Sequence, residues 1–365
     1  MRAICLGGGP AGLYFAISLK LRQPNADVTV LERNKPDDTF GWGVVLSDET
    51  LDNLEQNDPV SAAEIRSHFA YWDDIALHHK GQVITSSGHG FCGIGRKKLL
   101  LILQDRARAL GVNLQFETEV KSASAYMDDY DLVVACDGLN SKTRLEFEDT
   151  FKPDIDVRRC PFVWMGTHQK FDDAFTFIFE KTDKGWVWVH AYQFDPDTAT
   201  FIVECSQKTY DAYGFGEMTQ QESIATCEEI FKDHLGGHKL MTNAGHIRGS
   251  AWIKFPRVLC EKWSHENVVL LGDASATAHF SIGSGTKLAL ESAISLAKHV
   301  TDDADLATAF EKYEAARRLE VLRLQSAARN SVEWFEDVER YLDLDPVQLN
   351  YSMLTRSQRI SHENL

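Results

Sequence analysis

The sequence has no apolar run near the roughly 20 residues that a helix needs to cross a bilayer, which excludes a helical membrane span. Its apolar start at Ala3–Leu6 is too short for a signal-peptide core, so a cytoplasmic location is expected. Positive charge is in deficit: 38 Lys and Arg stand against 54 Asp and Glu, a formal net charge of −16. Nucleic-acid binding depends on cations that neutralise phosphates, so nucleic acid is not an expected partner, and an anionic ligand needs a local basic patch. Cysteine is scarce and odd in number. Cys5, Cys92, Cys136, Cys160, Cys205, Cys227 and Cys260 form no C-x-x-C pair, which argues for reduced thiols and against a disulfide framework, a zinc site or any other metal. Internal repeats and low-complexity linkers are absent too. What remains is 44% hydrophobic and 25% charged, with a mean hydropathy of −0.28, and 365 residues suit two intertwined domains with a sizeable core.

The most informative stretch lies at the start. Arg2–Leu6 reads as a short buried strand, Gly7-Gly8-Gly9-Pro10-Ala11-Gly12 follows, and an apolar helix runs through Leu13 to Leu21. A second strand is expected at Asp27–Leu31, and Glu32 falls 20 residues after Gly12. This is G-x-G-x-x-G between a strand and a helix. Gly7 permits the tight turn, Gly9 a close approach of backbone to pyrophosphate, and Gly12 close packing of helix on strand. The free N–H groups at the helix start favour phosphate, and Glu32 is placed to accept hydrogen bonds from a ribose.

Farther on, Phe40-Gly41-Trp42-Gly43-Val44-Val45-Leu46-Ser47 fits either a backbone lying against a flat ligand or a packed tryptophan between loop glycines. Leu51–Phe69 reads as a polar, acidic helical region and Gly81–Gly95 as a loop or short hairpin. A helix from Arg96 to Leu110 opens on Arg96, Lys97 and Lys98. Cations there oppose the helix dipole, so either an anion compensates them or they form a solvated basic end. Val112–Phe116 and Asp131–Ala135 complete a strand and helix alternation, the latter ending in Asp137-Gly138. From Asp156 the period changes to two. Strands at 175–179, 186–192 and 201–205 predict an antiparallel sheet, with Trp186, Trp188, His190 and Tyr192 on one face. That face suits a pocket wall or the packing of a sheet on its neighbour. Tyr210–His234 returns to acidic helix, Val268–Leu271 is a buried strand ending in Gly272-Asp273, and helices follow from Lys287 to Val300 and over most of Asp305–Leu344. Asn350–Leu365 reads as a polar end that is only docked.

The order Gly7–Gly12, Glu32-Arg33, Arg96, Asp137-Gly138 and Leu270–Asp273 resembles the FAD signature set of flavoprotein hydroxylases of the para-hydroxybenzoate hydroxylase type. Phe40–Val45, His190-Ala191-Tyr192, Phe201–Cys205, His279–Gly285, Asn330-Ser331 and Trp334-Phe335-Glu336 are similar to two groups within it. One is the flavin domain of salicylyl-CoA 5-hydroxylases and anthraniloyl-CoA monooxygenases, and the other is the hydroxylase of violacein biosynthesis. The chain departs from many members by carrying His279-Phe280-Ser281 where they have prolines. The aryl-CoA enzymes are often fused to an old-yellow-enzyme-like reductase domain, so such a domain or partner outside residues 1–365 is an expectation.

The resemblance implies an α/β fold: a Rossmann-like FAD-binding domain with a mainly parallel sheet (1–72, 92–152 and 262–304), an antiparallel substrate domain (73–91 and 153–261) and C-terminal helices (305–365). It implies that Gly7, Gly9, Pro10, Ala11 and Gly12 hold the pyrophosphate, with Glu32 on the adenosine ribose, Arg33 beside the adenine and Arg96 on the phosphates. Gly43, Val44 and Asp137 would join the cofactor site, Asp273 would bind the ribitol chain, and Ile282, Gly283, Ser284, Gly285 and Thr286 would face the flavin pyrimidine ring. With only one dinucleotide fingerprint, NADH or NADPH would visit transiently.

The implied activity is hydroxylation of an electron-rich ring by O2 through a flavin hydroperoxide. The substrate is first an aryl-CoA thioester, or else an indolic or free aromatic metabolite. A flavoprotein reductase without oxygen insertion, or a non-catalytic protein that has kept the fold, are the other classes. His190, Tyr192 and His279 are the candidates for managing a proton, although single histidines are often structural. Arg158-Arg159, Lys239 and Arg317-Arg318 are candidate contacts for CoA phosphates, or solvated surface cations.

Overall fold

The computed structural model describes residues 1–171, 174–245 and 249–358. Ala3–Leu6, Val28, Val30, Leu31 and Leu132–Ala135 are buried almost completely, as strands covered on both faces require. They belong to a six-stranded sheet in the order Ser264–His265, Val268–Leu270, Leu132–Ala135, Arg2–Leu6, Asp27–Leu31, Asn113–Gln115. Every pair in it is parallel except the edge pair of Ser264–His265 with Val268–Leu270. The helices Pro10–Arg22, Arg96–Ala109 and Gly285–Asp302 share its hydrophobic core.

The second sheet has eight strands, in the order Leu240–Met241, Pro153–Thr167, Ala199–Cys205, Gly185–Gln193, Ala174–Thr182, Asp74–His79, Gln82–Ser86, with Ile253–Cys260 also paired to Pro153–Thr167. The three strands of the period-two reading are antiparallel to one another, and the outer edge of Ala174–Thr182 pairs in parallel with Asp74–His79. The long strand Pro153–Thr167 shifts register between Val157 and Pro161. Proline has no N–H for the ladder, and the strand on either side of the irregularity pairs with three partners, Ala199–Cys205, Leu240–Met241 and Ile253–Cys260.

A third sheet, Gly43–Leu46, Phe91–Gly95 and Ala70–Trp72, is absent from the sequence reading. The segment read as one loop or hairpin splits between sheets. Gln82–Ser86 folds back on Asp74–His79 through Lys80 and Gly81, both at positive φ as a tight hairpin turn requires, while Phe91–Gly95 pairs with Gly43–Leu46. The helical region at 51–69 is two helices, broken at Asp58-Pro59, where the Asp58 carboxylate caps the second.

The C-terminal helices form no layer of their own. Leu306–Glu336 buries Ala309, Phe310 and Tyr313 in the first core and Trp334 and Phe335 in the second. The segment from Asn350 is more than a docked polar end. The helix Pro346–Thr355, capped by Asp345, buries Leu349, Met353 and Leu354 in the second core. The remainder, 359–365, lies outside the described residues.

Candidate active site

The first βα turn is dictated by its glycines. Gly7 sits at φ +125°, and an added Cβ there would collide with the Cys136 carbonyl; one at Gly12 would collide with the Gly7 carbonyl. Gly9 is different, since a Cβ there would meet no protein atom within 4 Å. The helix that follows starts with Pro10 in its first turn and has no side-chain cap, so its first N–H groups are left for a ligand. The Glu32 carboxylate accepts from the Gly8 N–H (2.8 Å) and from the Asn34 N–H (2.8 Å), fastening the glycine turn to the end of the second strand.

Gly9, Pro10 and Ala11 open onto a cavity of about 500 Å³ that reaches the eight-stranded sheet. Of the residues singled out in the sequence, it brings together these three with Gly43, Val44, Arg96, His190, Tyr192, Asp273 and Ile282–Thr286. Gly7, Gly12, Glu32, Arg33, Asp137 and His279 do not line it. Asp137 binds the Thr143 N–H and hydroxyl, and its neighbours Gly138 and Leu139 face the cavity instead. Arg33 is exposed.

Charge at the glycine end is set by Arg96 and Asp273. The Arg96 side chain is anchored by Nε to the Thr39 hydroxyl (3.1 Å) and has no carboxylate within ion-pair distance among the described residues. The Asp273 side chain is exposed to the cavity; desolvation by the surrounding protein raises its pKa, while Arg96 and Arg144 act in the opposite sense. Arg144, absent from the sequence candidates, donates to the carbonyls of Leu139, Asp273 and Ala274 and so ties together the two strand-end loops. The helix Gly285–Asp302 also lacks a side-chain cap, and Gly283, Ser284, Gly285 and Thr286 present its N-terminus to the cavity.

The aromatic face of Gly185–Gln193 has two uses. Tyr192 and His190 line the cavity with Phe175 and Phe177, whereas Trp188 packs on Phe335 with ring centroids 6.3 Å apart. The Tyr192 hydroxyl donates to the Gly43 carbonyl (2.8 Å), and burial pushes its pKa up to about 12. Its hydroxyl proton is therefore engaged with the Gly43 carbonyl while its ring lines the cavity. His279 lies elsewhere: its Nδ1 accepts from the Ser281 N–H, and the residue lines a second cavity of about 410 Å³ with Arg158 and Gln325.

His190 Nε2 lies 3.1 Å from the Glu204 carboxyl, which also accepts from the Trp188 indole N–H (2.8 Å). Their distance suggests an ion pair, but both groups are wholly buried. Burial pulls His190 down to about 3 and pushes Glu204 up to about 8, so the pair is neutral near pH 7. Glu204 escaped the sequence analysis because its contact depends on strand register, Trp188 lying opposite Glu204.

The loop at 40–47 supports both of its readings. Gly41 packs under the Trp164 ring and Trp42 against Gly166, while Gly43 and Val44 face the cavity. The basic candidates are engaged elsewhere: Arg158 and Arg159 bind Glu336, Lys239 binds Glu228, Arg317 binds Glu291 and Arg318 binds Glu314. None of them lines the large cavity.

The residues present fit a flavin dinucleotide. Gly9 leaves open space beside an uncapped helix start, Arg96 brings an unpaired cation, and a second uncapped helix start lies across the cavity. The described residues contain no cluster fit for a metal ion and no helix long and apolar enough to cross a membrane.

Comparison with known proteins gives a match to the family described as FAD binding domain over residues 1–324. A salicyloyl-CoA 5-hydroxylase from a Streptomyces species is 40% identical over 98% of this chain and 70% of its own length. A protodeoxyviolaceinate monooxygenase from Chromobacterium violaceum is 32% identical over 99% of this chain and 95% of its own. The crystal structure of a 2-methyl-3-hydroxypyridine-5-carboxylic acid oxygenase has the same fold, with a TM-score of 0.74 at 19% identity, covering 98% of this chain and 96% of that one.

Proposed function

The chain belongs to the FAD binding domain family and is an FAD-dependent aromatic monooxygenase, and from that premise we propose that it hydroxylates an electron-rich ring carried as a coenzyme A thioester, with NADH or NADPH as electron donor. The observation that carries this reading is one continuous cavity with a phosphate-binding turn at one end and an aromatic wall at the other. Likeness to a salicyloyl-CoA 5-hydroxylase over nearly the whole chain supports the thioester.

Bound FAD supplies the two-electron redox chemistry and the activation of O2. The protein's part is to bind, orient and exclude water. Gly9, Pro10, Ala11 and the adjoining helix start would hold the pyrophosphate, with Gly12 allowing the close turn behind them; Arg96 would neutralise it, Glu32 and Arg33 would serve the adenosine, and Asp273 would bind the ribitol hydroxyls. The helix N-terminus at Ser284–Thr286 favours negative charge at the cavity centre. Phe175, Phe177 and Tyr192 confine the substrate ring. His190, kept neutral by burial, holds a hydrogen bond to a ring substituent through Nδ1, which has no partner among the described residues.

His190→Ala is therefore expected to uncouple NAD(P)H oxidation from hydroxylation, while His279→Ala leaves coupling within ~2-fold and acts on stability instead. Equal coupling in both variants would contradict the assignment. The substrate class is tested by following NAD(P)H consumption against aromatic acids and their CoA esters. Stimulation by the esters supports the reading, and stimulation by free acids or indoles alone overturns it.

A further inference from the structure

A second cation in the large cavity has no part in holding a dinucleotide. Arg356 follows the helix Pro346–Thr355 and reaches the cavity wall with Leu354 and Ser357. Its Nε donates to the Ser331 hydroxyl (3.0 Å), Nη1 to the Met353 carbonyl (2.6 Å) and Nη2 to the Ser281 carbonyl (3.0 Å). All three acceptors are uncharged. A guanidinium has five N–H donors, so one on each terminal nitrogen is unused among the described residues. Phe177 and Phe335 lie with ring centroids 5.2 Å from the guanidinium carbon. Such contacts steady a cation without neutralising it.

No carboxylate is within ion-pair distance of Arg356 among the described residues, whereas Arg158, Arg317 and Arg318 each have one. The nearby buried acid, Glu204, is protonated near neutral pH and hydrogen-bonded to Trp188 and His190. Burial lowers the Arg356 pKa only to about 10, so the charge persists. A half-buried cation with two unused donors and no carboxylate partner among the described residues suits an anionic oxygen of a ligand in the cavity.

We propose that Arg356, with His190 beside it, forms the subsite that recognises an acidic oxygen on the aromatic ring, so that the enzyme selects hydroxyaryl over aminoaryl substrates. This rests on the aryl-thioester reading above. A ring hydroxyl, shared with Arg356 or ionised, offers lone pairs and charge to the two N–H donors. An aromatic amine offers mainly N–H donors to a group that has no acceptor, and at neutral pH it brings no negative charge.

The test is calorimetric binding to FAD-loaded enzyme of three probes: a 2-hydroxyaroyl-CoA, the matching 2-aminoaroyl-CoA and the free 2-hydroxyaryl acid. Wild type is compared with Arg356→Met, which keeps the apolar stem, and Arg356→Lys, which keeps the charge but loses the fork. Arg356→Met is expected to weaken the hydroxyaryl thioester ~10- to 100-fold, the size of a charge-assisted hydrogen bond, and the amino analogue less than ~3-fold. Arg356→Lys is expected to fall between. Equal losses for both thioesters, or no loss, overturn the subsite. If wild type ignores both thioesters but binds the free acid, and Arg356→Met loses that binding, the subsite stands and the thioester reading fails.

Discussion

Gly9 and Gly12 share one turn yet should respond oppositely to the same substitution. Gly12→Ala forces a Cβ against the Gly7 carbonyl and is expected to destabilise the fold by ~1–3 kcal/mol in thermal unfolding. Gly9→Ala meets no protein atom, so the melting temperature of the apoprotein should be unchanged while FAD affinity falls. Retention of FAD by Gly9→Ala would refute the pyrophosphate contact. Glu204 makes a second prediction at this scale. Its carboxyl titrates near 4.5 in the unfolded chain and about 8 in the folded one, so its contribution is full below 4.5 and is lost as pH rises through 8. His190 has the opposite sense, falling from 6.5 to about 3, and its contribution is lost as pH drops through that lower range. Glu204→Gln should flatten the alkaline side of the stability profile and leave the acid side in place; an unchanged alkaline side would show that Glu204 is not neutral in the fold.

Among the elements, the helix Leu306–Glu336 links the two cores. Phe335 near its end is fully buried against Phe177, Trp188 and His190 and faces Arg356. Phe335→Ala is expected to cost ~3–5 kcal/mol in denaturant unfolding and to weaken substrate binding with it. A loss of stability with binding intact would separate this helix from the site. The same scale shows why parts of the fold were legible. The fingerprint from Arg2 to Glu32 and the strand ends at Asp137 and Asp273 are local patterns of spacing, and the parallel sheet follows from them. The three-stranded sheet was hidden because Gly43–Leu46 pairs with Phe91–Gly95, far away in sequence. Pro153–Thr167 was hidden because Pro161 interrupts its alternation. Glu204 and Arg356 acquire meaning only through strand register and the packing of the last described helix, so composition and periodicity pass over both.

At the scale of the whole molecule, residues of both cores line one cavity, which also receives the side chains of Arg96 and Arg356. In the proposed reading the first cation serves the dinucleotide and the second the aromatic substrate. Such a division joins a redox cofactor to a confined aromatic substrate within one water-excluding space. The net charge of −16 is compatible with anionic ligands because these cations line the cavity and supply local positive charge there. The most direct measurement is mass spectrometry of the product formed from an aryl-CoA thioester, NAD(P)H and isotopically heavy O2 by the FAD-loaded enzyme. One heavy oxygen atom on the ring, with the thioester intact, is the predicted result; consumption of NAD(P)H with an unlabelled or merely reduced ring would contradict the account.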